Sequence, residues 1–119
     1  MMQKILQQLN QEVGVKGSMI VEQDGLPAVT ELGKELDGEI VAAMASSTIR
    51  STKRALQLLN QSKFDRIILM AAHGRMVFVD LDPAPAILLA VTDKNINIDL
   101  TILAIDGAAI RIKNLLMKK

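Results

Sequence analysis

The chain contains no cysteine, tryptophan or tyrosine, and Phe64 and Phe78 are its only aromatic residues. Without cysteine there is no disulfide framework, no thiol nucleophile and no zinc ribbon, and a reducing, cytoplasmic home is the expectation. Aromatics at 2% of residues cannot build the stacking platforms on which bases or sugars rest, so nucleic-acid binding of that kind drops away. Excess charge is missing too. Fourteen lysines and arginines against 13 acids leave a formal net charge of +1, and no overall field draws the molecule to nucleic acid or anionic lipid. No stretch approaches the ~20 apolar residues of a membrane span, and Met1 to Asn10 lacks an apolar core behind a basic flank, so neither membrane insertion nor a leader is expected. No phosphate loop of the form G-x-x-x-x-G-K-S/T occurs, so the chain is not itself a nucleotide hydrolase. What remains is apolar substance. Half of the 119 residues are hydrophobic and 23% are charged, enough for one domain over 1–119 and too few for two ordinary ones.

Met2, Ile5, Leu6, Leu9 and Val13 recur at helical spacing, and Gly14 supplies a C-terminal stop. Lys16 to Glu22 and Leu26 to Glu31 read as strands around Asp24-Gly25, a dipeptide suited to the positive φ of a hairpin turn. Pro27 lacks an amide donor, which places the returning strand at a sheet edge or Pro27 at its first residues. Asp37 can cap a helix running from Glu39 to about Asn60, a span of about 33 Å. Phe64 to Ala72, Arg75 to Leu81 and Pro85 to Thr92 read as three meandering strands. Asn97 caps a last helix with a stripe of Ile98, Ile102, Ile105, Ala109, Ile112 and Leu116. The order αββαβββα, with residues 67–71 and 86–91 apolar at nearly every position, predicts a three-layer α/β domain of the α+β type with both sheet faces covered.

The long helix has more apolar surface than one contact needs. At 100° per residue, Ile40, Val41, Met44, Ala55, Leu58 and Leu59 form the larger stripe, suited to the sheet. Ala42, Ala45, Ile49 and Leu56 form a second stripe, and Arg50, Lys53 and Arg54 lie on the wet face. The apolar arc spans about 200°, against little more than 100° for a helix lying on one surface. The second stripe therefore faces either another helix of this chain or a second copy.

The run Val13-Gly14-Val15-Lys16-Gly17-Ser18-Met19-Ile20-Val21 resembles the entry into the first strand of the roadblock (dynein light-chain) family, which is related to longin domains. Asp24-Gly25-Leu26-Pro27 at the first hairpin, Ala42-Ala43-Met44-Ala45 early in the long helix and the Gly74 turn continue the likeness across the chain. The resemblance implies a five-stranded antiparallel sheet, with the first and last helices on one face and the long helix on the other. It also implies a homodimer in which long helices and third strands pair across a twofold axis, with Ala42, Ala45, Ile49, Leu56, Ile67 and Leu69 in the interface. Such proteins bind small Ras-like GTPases, and some bacterial members stimulate GTP hydrolysis by repositioning the GTPase's own groups. The resemblance therefore implies a partner and no catalytic residue, cofactor or metal. The ending Met117-Lys118-Lys119, without the long tail of that subgroup, shifts weight toward a scaffold.

Other chemistry finds little support. His73, the only histidine, precedes Gly74 in a turn and reads as solvated. Asp80 and Asp82 lack a further ligand or a paired base, and strand-end polarity accounts for them. Gly14-Val15-Lys16-Gly17 looks like a nucleic-acid clamp but joins a helix to a strand rather than two helices. Arg50, Lys53 and Arg54, doubled by a twofold axis, would steer an acidic partner surface. A small-molecule sensor and an assembly scaffold without a GTPase are the alternatives.

Overall fold

The computed structural model describes residues 1–33, 36–60, 65–72, 74–94 and 97–118. Phe64 and His73 lie outside them. The described residues form α1 (Met2–Leu9), β1 (Val15–Glu22), β2 (Pro27–Glu31), α2 (Gly38–Leu58), β3 (Arg66–Ala71), β4 (Gly74–Asp80), β5 (Ala86–Asp93) and α3 (Ile98–Met117). The expected order holds, and the strands make one antiparallel sheet in the order β2-β1-β5-β4-β3.

Local chemistry accounts for the element ends. Asp37 accepts hydrogen bonds from the amides of Glu39 and Ile40 at 3.0 and 3.4 Å, and Asn97 accepts one from Leu100 at 3.3 Å, so both long helices start where a side chain takes up orphan N–H groups. Gly25 sits at φ +91° in the first hairpin, a region in which a Cβ is strained. Pro27 opens β2, and β2 is an edge strand, as a residue without an amide donor requires. α1 is shorter than its periodicity predicts. The amides of Gln11 and Glu12 bond back three residues, to Gln8 and Leu9, and Val13 is left exposed while the chain reverses into β1 at Gly14, φ +86°.

Alternation along the strands sends side chains to two cores. On one face Ile20, Val77, Val79 and Leu88 pack with Leu6 and Leu9 of α1 and with Ile105, Ala108 and Ile112 of α3. On the other, Met19, Val21, Phe78, Ile87 and Leu89 pack with Ala42, Ala45 and Ile49 of α2. The three layers are thus α1 and α3, sheet, and α2. Polar bonds tie the first layer together. Ser18 Oγ donates to Asn10 Oδ1 at 2.7 Å, Asn10 Nδ2 donates to the Glu31 carbonyl at 2.8 Å, and Arg111 Nη1 donates to Gln8 Oε1 at 3.0 Å.

Gly74 starts β4 opposite Asp93. A Cβ at this position would lie 2.5 Å from the Thr92 carbonyl oxygen, closer than any side chain tolerates. We expect Gly74→Ala to destabilise the fold by about 1–3 kcal/mol, because backbone at the end of the β4–β5 ladder must move; the urea midpoint checks this, and an unchanged midpoint would refute the close approach.

Candidate interaction surface

The apolar faces of α2 are arranged the other way round from the sequence expectation. Ala42, Ala45 and Ile49 are at most 3% exposed and lie against the chain's own sheet, while Ile40, Met44, Leu58 and Leu59 point to solvent, Met44 at 62%. The physical reason is bulk. Met19, Phe78 and Leu89 fill the layer from the sheet side, so the helix approaches best with its small residues inward. Ala42, Ala45 and Ile49 are therefore core residues, and the surface left over on α2 is the larger stripe apart from Val41, which is partly buried against the same core. Leu56 is half-buried at the margin between them.

The third strand departs from the expectation of two covered faces, while its place at the sheet edge is the one that the resemblance's pairing of third strands requires. Residues 67–71 are apolar enough to suit a strand covered on both faces, yet β3 is the sheet's last strand, and Ile68, Leu69 and Met70 are exposed, Met70 at 72%. Ile67 and Leu69 stand opposite Phe78 and Met76, on the α2 side of the sheet. Ile67 is partly buried against that core, and Leu69 lies beyond it. Ile68 stands opposite Val77, on the α1–α3 side. Ala71, Met70, Leu69 and Ile68 thus form an apolar edge with no strand beside it among the described residues. Sequence reasoning missed Ile40, Met44, Leu58, Leu59, Ile68 and Met70. The signal that would have found the first four is the alanine content of the opposite stripe, which marks the side of closest approach.

The cations divide as well. Arg50 and Arg54 are exposed on α2. Lys53, expected with them on the wet face, turns instead to Asp80 at the end of β4, Nζ to Oδ2 2.8 Å, where the carboxylate is 8% exposed. Arg66 Nη2 similarly meets Asp106 Oδ2 of α3 at 2.6 Å. These pairs line a cleft of about 580 Å³ together with Asp82 and Lys113. Acids and bases there neutralise one another across the sheet end, so Asp80 is an internal partner of Lys53. Among the described residues no cluster of histidine, cysteine, aspartate or glutamate is arranged to hold a metal ion, and no helix is long and apolar enough to cross a membrane.

The described fold is a five-stranded antiparallel sheet with α2 on one face and α1 and α3 on the other, and it leaves apolar side chains exposed on α2 and on the edge strand β3. Residues 1–93 match the family model of the Roadblock/LC7 domain, and the chain belongs to that family. It is 34% identical over 113 residues to the uncharacterized protein MJ0714 of Methanocaldococcus jannaschii, spanning 95% of this chain and 94% of that one. Its fold superimposes on MglB of Myxococcus xanthus with a TM-score of 0.93 at 13% identity, covering 99% of this chain and 96% of that one. The gliding protein MglB of Thermus thermophilus follows at a TM-score of 0.85 and 12% identity, covering 98% and 88%.

Proposed function

We propose that the chain is a non-catalytic, cytoplasmic, homodimeric regulator or scaffold that binds a small Ras-like GTPase. One observation carries the reading: the outward face of α2 and the free edge of β3 together expose Ile40, Met44, Leu58, Leu59, Leu69 and Met70. A lone edge this apolar invites uncontrolled strand addition, and a second copy pairing its β3 antiparallel would satisfy the edge amides and carbonyls while extending the sheet. Leu69 and the margin residues Ile67 and Leu56 keep their place in this interface, whereas Ile40, Met44 and Leu58 take over from Ala42, Ala45 and Ile49. Membership of the Roadblock/LC7 family supports the GTPase as partner. Arg50 and Arg54 stand exposed on α2, and two copies would present them twice to an acidic surface. Any stimulation of hydrolysis would come from positioning the partner's own groups.

Sedimentation of the wild-type protein is expected to give a dimer, and Leu69→Asp a folded monomer, since a carboxylate cannot enter an apolar strand pair unpartnered. A pull-down from the native cell followed by a nucleotide-hydrolysis assay on any GTPase recovered then tests the partner, with Arg50→Glu/Arg54→Glu expected to weaken capture. A wild-type protein that stays monomeric, or a dimer that captures no GTPase, would overturn the reading.

A further inference from the structure

The two halves of α2 are held on the sheet by different means. The first half buries Ala42, Ala45, Ser46 and Ile49, and Ser46 Oγ donates to the Gln23 carbonyl at 2.8 Å. From Arg50 to Leu58, about 13 Å of helix, no side chain is fully buried, and only Thr52, Lys53 and Leu56 are half-buried. Thr52 uses its hydroxyl inside the helix, on the Thr48 carbonyl at 2.8 Å. Among the described residues the one polar bond from this half to the rest of the chain is the ion pair of Lys53 Nζ with Asp80 Oδ2, 2.8 Å. Its acceptor is fixed from the sheet side. Asp80 Oδ1 accepts from the Asp82 amide at 3.2 Å, and the Asp80 side chain is 8% exposed. Breaking so shielded a pair costs far more than breaking one on the surface, because the carboxylate is left without its counter-charge.

We propose that Lys53 and Asp80 are positioning residues of the interaction surface: their ion pair moors the second half of α2 to the sheet and so sets where Leu58 and Leu59 stand. Both leucines lie beyond Ile49, the last buried residue of the helix, and they are 82% and 68% exposed. With the pair open, only the half-buried Thr52 and Leu56 still hold this half, and the exposed Arg54 moves with it. Moored and unmoored subunits are then two states, of which only the moored one offers a partner a formed surface. A dimer needs both subunits moored, so the moored fraction enters squared: at about one subunit in three, the dimer dissociation constant rises about tenfold. This consequence for the dimer rests on the α2–β3 interface proposed above, whereas the mooring itself does not. Arg66–Asp106 borders the same cleft but ties β3 to α3, on the opposite face of the sheet, and serves as the control.

The absence of cysteine makes the test direct. In the Leu69→Asp subunit, nitroxides on Lys4→Cys and Gln57→Cys report the place of the second half of α2 by electron–electron double resonance, and Lys4→Cys with Ala43→Cys reports the first half; all three positions are exposed. Each pair is expected to give one narrow distance while Lys53 and Asp80 are intact. Asp80→Asn keeps the shape and the acceptor for the Asp82 amide but removes the charge. It should add a second distance at Gln57 in about two-thirds of the molecules and none at Ala43. Lys53→Met added to Asp80→Asn should change little further, as coupled partners require, and Lys53→Arg, which keeps the cation, should retain the single distance, as should Asp106→Asn. Without Leu69→Asp or the labels, sedimentation of Asp80→Asn should give a dimer dissociation constant about tenfold higher, with Lys53→Arg and Asp106→Asn near the wild type. A single distance at Gln57 in Asp80→Asn, equal broadening at Ala43, or the same broadening from Asp106→Asn would each overturn the mooring. Broadening with an unchanged dissociation constant would overturn the positioning role. A wild type that stays monomeric would remove the dimer reading, and the distances would still decide whether the pair moors the helix.

Discussion

Ala45→Asp is expected to unfold the protein, while the neighbouring Met44→Asp is expected to leave it folded and only take away the dimer. Ala45 is 1% exposed, packed between α2 and the sheet against the cluster of Phe78 and Leu89, and Met44 is 62% exposed one residue earlier. A carboxylate at residue 45 has no cation or donor facing it from that apolar cluster, so it must be buried charged, be buried protonated, or push the helix off the sheet. Substitutions of this kind cost about 4 kcal/mol or more, a large part of the roughly 5–15 kcal/mol that holds a domain together. The exposed Met44 site should change the intrinsic stability of the subunit by no more than about 0.5 kcal/mol. Thermal melts by circular dichroism combined with sedimentation separate the two outcomes. A folded, monomeric Ala45→Asp beside a dimeric Met44→Asp would mean that the alanine stripe faces a second copy, as the family resemblance implied.

Phe78→Ala is expected to have the second large effect. Phe78 is the bulkiest of the fully buried side chains and stands in β4 among Met19, Val21, Ile87, Leu89 and Ile49. Removing its ring leaves a cavity on a stiff sheet that cannot collapse into it, at a cost of about 3–5 kcal/mol. The melting temperature should fall by roughly 10–20 °C. Phe78→Leu, which keeps most of the volume, should cost less than about 1.5 kcal/mol. Equal losses for the two variants would show that the ring's volume is not what α2 rests on.

Much of the architecture was legible in residues 1–119 because it rests on local chemistry. Asp37 and Asn97 were readable as helix caps, Asp24-Gly25 as a hairpin, and Pro27 as the mark of an edge, and each holds in the structure. The interaction surface was legible only as an excess: α2 has more apolar girth than one contact uses. Which stripe is spare was not, since hydrophobicity measures the gain on burial and is silent about distance. Closest approach goes to the small side chains, and that depends on how far Met19 and Phe78 reach up from the sheet. Lys53 shows the same limit. The wheel puts it beside Arg50 and Arg54, and only the end of β4 arriving 2.8 Å away takes it out of the free surface.

The sequence by itself determined the order of elements, the antiparallel meander, the family likeness and the existence of surplus apolar surface, because these follow from period, capping and turn chemistry within a few residues. Only the tertiary structure decided that Ala42, Ala45 and Ile49 face inward, that Met44 faces outward, and that Leu100, Leu103 and Ile110 of α3 stay exposed. Two strands of similar apolar composition, residues 67–71 and 86–91, end up at the rim and at the centre of one sheet. Strand order is set by which long-range pairings bury the most surface together, a sum over the whole chain that no single segment contains.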